Sequence, residues 1–117
     1  MKHFSIFFLA VCLLSACQTT TQLNTSGKRQ FLYQKDNDYS RIDLEIDTNN
    51  DVTAEIYSHP DQTDYDIYFI GIKKGNEIEG LEHQSAGDRV YKQQNVWLLQ
   101  PHALVRNGLT HQEISTH

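Results

Sequence analysis

Residues 42 to 57 decide the fold: they read Ile42-Asp43-Leu44-Glu45-Ile46-Asp47, then Thr48-Asn49-Asn50-Asp51, then Val52-Thr53-Ala54-Glu55-Ile56-Tyr57. In both outer six-residue stretches every second residue is apolar, and the residues between them are acidic or polar. This alternation is typical of a strand with one face in the core and the other in water. The polar stretch between the two strands predicts a turn, so the whole segment is a predicted β-hairpin.

Further strands are predicted on both sides of this hairpin. The segment 65–73 is apolar at both odd and even positions, which favours a central strand. Gly71 and Gly80 fall inside predicted strands and indicate bulges or tight bends. The remaining predicted strands are residues 30–35, 77–82, 89–93, 96–100 and 102–106, with Gln94-Asn95 as a turn between two of them.

The fold class follows from the spacing of these elements. No segment has a helical period, and turn signals recur about every ten residues, as in an all-β protein. We predict a small antiparallel meander of about seven or eight short strands, closed or partly closed into a barrel whose own side chains fill it. A two-sheet sandwich is the alternative. We predict that residues 29–117 form this single β domain.

Composition excludes some partners. The chain has 117 residues and a formal net charge of −5, and its only adjacent basic pairs are Lys28-Arg29 and Lys73-Lys74. A nucleic-acid surface needs clustered Lys and Arg, so we expect no nucleic-acid partner. Both cysteines, Cys12 and Cys17, lie in the N-terminal region, so the β domain is expected to fold without a disulfide.

The N-terminus has the three parts of a secretory signal. A basic start that includes Lys2 is followed by an apolar run over 4–14 and by the small residues Ser15 and Ala16. This run is too short to cross the ~30 Å of hydrocarbon in a bilayer as a helix. It therefore favours a cleaved signal peptide over a membrane span.

The residues Leu14-Ser15-Ala16-Cys17 resemble the lipobox of bacterial lipoproteins. The resemblance implies cleavage after residue 16 and a diacylglycerol, together with an N-acyl chain such as palmitate, on Cys17. Such a lipid would anchor the protein to a membrane. Residues 17–28 would then be the lipidated cysteine and a flexible polar tether. Gln18, after the cysteine, implies the outer membrane, facing the periplasm, if the host is Gram-negative.

No motif in the sequence predicts a reaction, a metal or a cofactor. The segment 47–51 begins like a calcium loop, but Val52 stands where glycine is needed and Ser58 where glutamate is needed. The histidines lack metal-ligand spacing, and no serine lies in a nucleophile elbow. We therefore expect that the protein is not an enzyme and that it has no metal site and no cofactor beyond the covalent lipid.

Aromatic residues are the candidate binding residues. Tyrosine and tryptophan are frequent in interface hot spots and ligand pockets, because each combines a large apolar area with one polar group. In a small domain the same side chains also serve as core, and that alternative is open for each of them. The candidates for contact with a partner or ligand are Tyr57, Tyr65, Tyr68, Tyr91 and Trp97.

These features together predict a lipid-anchored protein of the cell envelope that acts by binding a macromolecule. The partner would be an envelope component or a secreted enzyme that the protein inhibits, and the acidic chain would suit a basic one. One alternative is a lipocalin-like carrier of a small apolar ligand. Another is a purely structural envelope lipoprotein.

Overall fold

The computed structural model describes residues 27–59 and 63–114, and this part of the chain forms eight strands. The signal peptide and most of the tether predicted above lie outside the described residues. The strands are β1 (Gly27–Lys35), β2 (Asp38–Ile46), β3 (Asp51–Tyr57), β4 (Ile67–Lys74), β5 (Glu77–Ala86), β6 (Arg89–Gln100), β7 (Ala103–Arg106) and β8 (Leu109–Ile114).

The eight strands form a closed antiparallel barrel. Each strand pairs with the next one in the chain, and β8 returns to pair with β1, where Gln30 lies opposite Ile114. The predicted all-β meander and its closure into a barrel are confirmed, and the two-sheet sandwich is not the arrangement found. Closure leaves no unpaired strand at the side of the sheet, apart from stretches where one strand outruns its neighbour.

The predicted hairpin of residues 42–57 is confirmed as β2 and β3. Ile42 lies opposite Ile56 and Ile46 opposite Val52, so the apolar residues of both strands share the inner face. The carboxylate of Asp47 accepts hydrogen bonds from the backbone N–H groups of Asn49 (2.8 Å) and Asp51 (2.9 Å). Asp47 therefore stabilises the turn through its own side chain.

Several predicted strand ends are wrong by three or four residues, since β1 begins at Gly27, β2 begins at Asp38 and β5 ends at Ala86. Two further errors change the number of strands. The predicted turn at Gln94-Asn95 is absent, and β6 continues from Arg89 to Gln100 because both residues stay in register with β5. The last strand, β8, follows a turn at Asn107 and Gly108 and was not predicted. The predicted number of strands is therefore right only because these two errors cancel.

The interior is filled by side chains. Phe69 and Trp97 stack at its centre with ring centroids 4.0 Å apart, and both are fully buried. Aliphatic residues from β2, β3 and β5 complete the packing around them. The buried core cluster consists of Phe31, Ile42, Leu44, Ile46, Val52, Ala54, Ile56, Phe69, Ile78, Trp97, Leu99 and Leu104.

The two glycines inside strands make room for the ring of Phe69. Gly71 of β4 and Gly80 of β5 lie directly opposite each other, and the ladder between the two strands runs on through them without the predicted bulge. A Cβ atom on Gly80 would lie 2.2 Å from the carbonyl oxygen of Ile70 and 2.6 Å from the ring of Phe69. Glycine is needed here because the ring and the neighbouring backbone approach so closely.

Candidate functional site

An apolar patch lies on the outer face of the barrel. Ile70 on β4 is directly opposite Leu81 on β5, and in the second row along the same face Ile72 on β4 and Val96 on β6 lie on either side of Glu79 on β5. These four side chains are between 41% and 51% exposed. We call Ile70, Ile72, Leu81 and Val96 the apolar patch. A cluster of half-exposed aliphatic side chains on a small domain is typical of a protein-binding surface.

The apolar character of β4 on both faces has a different origin from the one predicted. Phe69 points into the core, whereas Ile70 and Ile72 alternate with it and point out of the barrel. β4 has strand partners on both sides, β3 and β5, as a central strand does, but a closed barrel covers only its inner face.

An acidic groove adjoins the patch. It has a volume of about 570 Å³, and its outward-facing lining includes the carboxylates of Asp43, Glu45 and Glu55. Cross-strand pairing connects the two features, because Glu45 lies opposite Thr53, and Thr53 lies opposite Ile70. The full lining of the acidic groove is Lys28, Arg29, Gln30, Asp43, Leu44, Glu45, Thr53, Ala54, Glu55 and Tyr68.

Two carboxylates of the groove oppose each other directly. Asp43 on β2 is the cross-strand partner of Glu55 on β3, an arrangement of like charges that weakens a sheet. Arg41 partly compensates, since its Nε lies 3.0 Å from Asp43 and its guanidinium lies over the ring of Tyr57 at 4.3 Å. Burial raises the pKa of Tyr57, and the charges of Glu55 and Asp43 raise it further. Lys28 on β1 lies opposite Glu45, so the groove contains both signs of charge, with three carboxylates against the basic residues Lys28 and Arg29.

Three of the candidate tyrosines are exposed enough to contact a partner. Tyr65 and Tyr91 are 46% and 55% exposed, and Tyr68 is half-buried at the wall of the acidic groove. The rings of Tyr65 and Tyr68 are in contact, with centroids 5.6 Å apart. Tyr91 lies apart from them, near the start of β6. The structure therefore brings two of the candidates together beside the groove and separates the third.

The other two candidates are buried. Trp97 is fully inside the barrel, and the core alternative applies to it because its indole stacks on Phe69 within the buried core cluster. Tyr57 is almost wholly covered, by the guanidinium of Arg41 among other groups, although its hydroxyl donates a hydrogen bond to Glu55 at 3.3 Å. Neither ring presents an open face to a partner.

A buried charged cluster was not predicted from the sequence. The carboxylate of Glu82 accepts hydrogen bonds from Arg106 (Nε 2.9 Å and Nη2 2.8 Å), from Trp97 Nε1 (2.9 Å) and from Asn95 Nδ2 (2.8 Å). A signal was present, since Glu82 has the same strand parity as the inward-facing Ile78. Because every oxygen of this carboxylate is satisfied inside the protein, we read the cluster as structural.

Another ionisable side chain is buried at the contact between β8 and β2. Nδ1 of His111 is 3.1 Å from the carbonyl oxygen of Leu109, and Nε2 is 2.9 Å from the hydroxyl of Ser40. In the neutral ring that fits these partners, Nδ1 donates to the carbonyl and Nε2 accepts from the hydroxyl. Burial lowers the pKa of His111, and the positive charge of Arg106 lowers it further.

This histidine predicts a dependence of stability on pH. A histidine with a lowered pKa in the folded state takes up its proton more readily in the unfolded state, so stability is full above pH 6.5 and falls as the pH drops below that value. We expect the urea midpoint of the wild-type protein to decrease between pH 7.5 and pH 5.5. His111→Gln should have a lower midpoint that changes less over this range; an equal slope in the variant would contradict the assignment to His111.

Within residues 27–59 and 63–114, no group of three His, Cys, Asp or Glu side chains is arranged to hold a metal ion. Ser58 and His59 lie outside β3, and the backbone N–H of Ser58 bonds to Asp66 at 2.8 Å. Among the described residues there is also no helix long and apolar enough to cross a membrane.

No family model, no curated protein and no solved structure matches this chain. The geometry of the outer face is therefore the basis for the proposal that follows.

Proposed function

We propose that this chain is a lipid-anchored protein of the cell envelope that binds another protein through its outer face. The observation that carries the proposal is the apolar patch, where four aliphatic side chains are exposed beside the acidic groove. When a partner covers exposed aliphatic side chains, apolar surface is removed from water, and this burial favours binding. The patch and the groove share cross-strand rows, so one partner is able to contact both.

The charge of the groove supports a basic partner. The carboxylates of Asp43, Glu45 and Glu55 outnumber the basic groups of Lys28 and Arg29 in its lining, and the whole chain carries a net charge of −5. Complementary charge speeds the encounter of two proteins and disfavours partners of the wrong sign, while apolar contact at the patch would supply affinity. A basic secreted enzyme that the protein inhibits fits this description, as does a basic component of the envelope.

The anchor is the other half of the proposal, and Cys17 tests it. We propose that residues 1–16 are removed and that Cys17 receives lipid, with the outer membrane as the site of anchoring in a Gram-negative host because Gln18 follows the cysteine. Cys17→Ala should then accumulate as unprocessed precursor. The measurement is the mass of the protein from cells, and a Cys17→Ala chain processed like the wild type would contradict lipidation.

The patch is tested by crosslinking in cells. A photoreactive amino acid in place of Leu81 should give one main adduct with a basic protein, and the same group in place of the exposed Lys35 should not. Ile70→Glu should abolish the Leu81 adduct, because it adds a charge to the apolar patch directly opposite Leu81. Gln34→Glu adds the same charge at an exposed position of β1 and should leave the adduct intact. An adduct that survives Ile70→Glu would contradict the patch as the binding surface.

The other two functions make different predictions in the same experiment. A carrier of a small apolar ligand needs an internal cavity, whereas the barrel interior described above is occupied by Phe69, Trp97 and the aliphatic core. A structural envelope lipoprotein would give no specific adduct at Leu81. We propose that the protein performs no catalysis.

A further inference from the structure

The first half of β6 has a strand partner on one side only. β6 pairs with β5 from Arg89, opposite Ala86, up to Leu98, opposite Glu77. On its other side it pairs with β7 only from Leu98 to Gln100, because β7 is four residues long. No strand of the described chain pairs with residues 89–96 on that side. We call residues 89–94 the β6 arm.

The backbone of the β6 arm alternates between β5 and the free side. Gly87 and Asp88 form a two-residue turn, so Ala86 and Arg89 are the hydrogen-bonded pair that closes the hairpin. Backbone groups of Arg89 and Tyr91 therefore point to β5. Those of the alternate residues, Val90, Lys92 and Gln94, point to the free side. This edge has the pattern that a further strand would pair with.

Asn95 ends the free edge. Its side-chain oxygen accepts a hydrogen bond from the N–H of Val96 at 2.8 Å, and its side-chain nitrogen donates to Asn107 in the β7–β8 turn at 3.0 Å. The side chain of Asn95 thus satisfies the N–H of Val96 next to the arm and links this part of β6 to the β7–β8 turn. The donors and acceptors further along, at Val90, Lys92 and Gln94, have no such cap in the described chain.

The side chains of the β6 arm are exposed on both faces of the hairpin. All six residues from Arg89 to Gln94 are exposed, and they include the aromatic Tyr91 and the aliphatic Val90. Two of the six, Arg89 and Lys92, are basic, whereas the chain as a whole is acidic. The arm therefore offers a hydrogen-bonding edge with a positive charge near each end and apolar groups between.

We propose that the β6 arm binds an extended acidic segment of a partner protein, which adds a strand to the sheet. A residue opposite Lys92 would be acidic, the residues opposite Tyr91 and Val90 apolar, and the residue opposite Arg89 acidic. The segment that fits is thus acidic–apolar–apolar–acidic, and the pattern reads alike in both directions of pairing. A second copy of the chain fits less well, since it would bring two basic edges together, and basic residues on an edge oppose self-pairing.

This inference goes beyond the function proposed above. It depends neither on the lipid at Cys17 nor on the apolar patch, which lies on the outer face of the barrel rather than on the strand edge. An outcome for the β6 arm therefore leaves the outcome for the patch open, and the reverse also holds.

The test uses the full chain in a mild detergent and a synthetic peptide, Ser-Thr-Glu-Val-Val-Glu-Thr-Ser. Amide exchange is followed by NMR with and without the peptide. The exchange of the amides of Val90, Lys92 and Gln94 should slow by at least about tenfold when the peptide is bound, because these amides gain a strand partner. Those of Tyr91 and Gln93, which already bond to β5, should change much less. Binding without this alternating protection would overturn the proposal.

Matched controls separate the contribution of charge to binding from that of backbone hydrogen bonds and from any loss of folding. A peptide with lysine in place of both glutamates should bind about tenfold more weakly or not at all. Lys92→Pro removes one free-side N–H but no bond to β5, and it should abolish binding while the circular dichroism spectrum stays unchanged. Lys92→Glu should weaken binding of the acidic peptide, whereas Lys35→Glu should not.

Equal binding of both peptides, or normal binding by Lys92→Pro, would overturn the proposal. If Lys92→Pro does not fold, the comparison of Lys92→Glu with Lys35→Glu decides in its place. Dimerisation without peptide that protects the same three amides would also overturn it, in favour of a second copy as the occupant.

Discussion

Replacing Glu82 with glutamine should lower the free energy of unfolding by about 3–5 kcal/mol, the range found when one member of a buried ion pair is removed. The side chains of Glu82 and Arg106 are only 7% and 15% exposed, and their closest atoms lie 2.8 Å apart. The variant would leave the guanidinium of Arg106 inside the protein without a counter-charge. Urea unfolding at pH 7 measures the loss.

Glu79→Gln is the matched control. Glu79 is on the same strand as Glu82 but faces outward, where its carboxylate lies 3.2 Å from the exposed Lys74. An ion pair on the surface contributes about 0–1 kcal/mol, so this variant should lose far less stability. Similar losses in the two variants would show that the charge of Glu82 has no special role in the interior.

The same cluster predicts sensitivity to acid. Burial alone would raise the pKa of Glu82, but the hydrogen bonds from Arg106, Asn95 and Trp97 outweigh it, so the pKa is lowered from 4.5. A carboxylate with a lowered pKa in the folded state contributes stability above its unfolded pKa and loses that contribution as the pH falls below 4.5. Acid destabilisation by Glu82 should therefore begin below the range in which His111 acts.

Trp97→Ala should lower the free energy of unfolding by about 3–5 kcal/mol, as is typical for removal of a large buried aromatic residue. Trp97 is fully buried and stacks on Phe69, whose ring lies against Gly71 and Gly80 at the centre of the barrel. Its loss would leave a cavity that the rigid strands cannot close. Thermal and urea unfolding followed by circular dichroism measure the effect.

Trp97→Phe separates packing from hydrogen bonding. Phenylalanine retains a ring against Phe69 but cannot donate to Glu82, a bond of 2.9 Å in the wild type. We expect a loss of about 1–3 kcal/mol, the range for a buried polar group that loses one partner. A loss as large as that of the alanine variant would mean that the hydrogen bond, and not the ring, is the main contribution of Trp97.

Alternation made the fold predictable. In the β2–β3 hairpin each inward residue is aliphatic and the outward ones are mostly polar, so the sequence indicates both the strands and the face that is buried. The turn at 47–51 is also recognisable, because Asp and Asn form such turns through their side chains. Closure into a barrel was expected from the number of short strands, but no single residue specified it.

The errors in the predicted strands and burial arise from tertiary contacts, which the alternation of apolar and polar residues does not reveal. Gln94 and Asn95 resemble a turn by residue type, yet pairing with β5 holds them in a strand, because tertiary context overrides local preference. Ile70 and Ile72 look like core by residue type but lie outside the barrel. Glu82 is of a residue type that usually lies on the surface, and its burial is favourable because Arg106, Trp97 and Asn95, all distant in sequence, donate hydrogen bonds to it.

The candidate site was predicted only in part. Of the predicted aromatic residues, Tyr68 lies in the wall of the acidic groove, whereas Trp97 is part of the core. The apolar patch was missed because its members are ordinary aliphatic residues on three different strands. Only the register between β4, β5 and β6 shows that they are neighbours.

The central claim, an anchored protein whose outer face binds a basic partner, is tested most directly by native mass spectrometry of the protein extracted gently from its own envelope. We predict a chain that begins at a lipidated Cys17 and carries one basic protein in a fixed ratio. The Ile70→Glu variant should give the same lipidated chain alone. A wild-type chain that retains residues 1–16, or a variant that retains the same partner, would contradict the account.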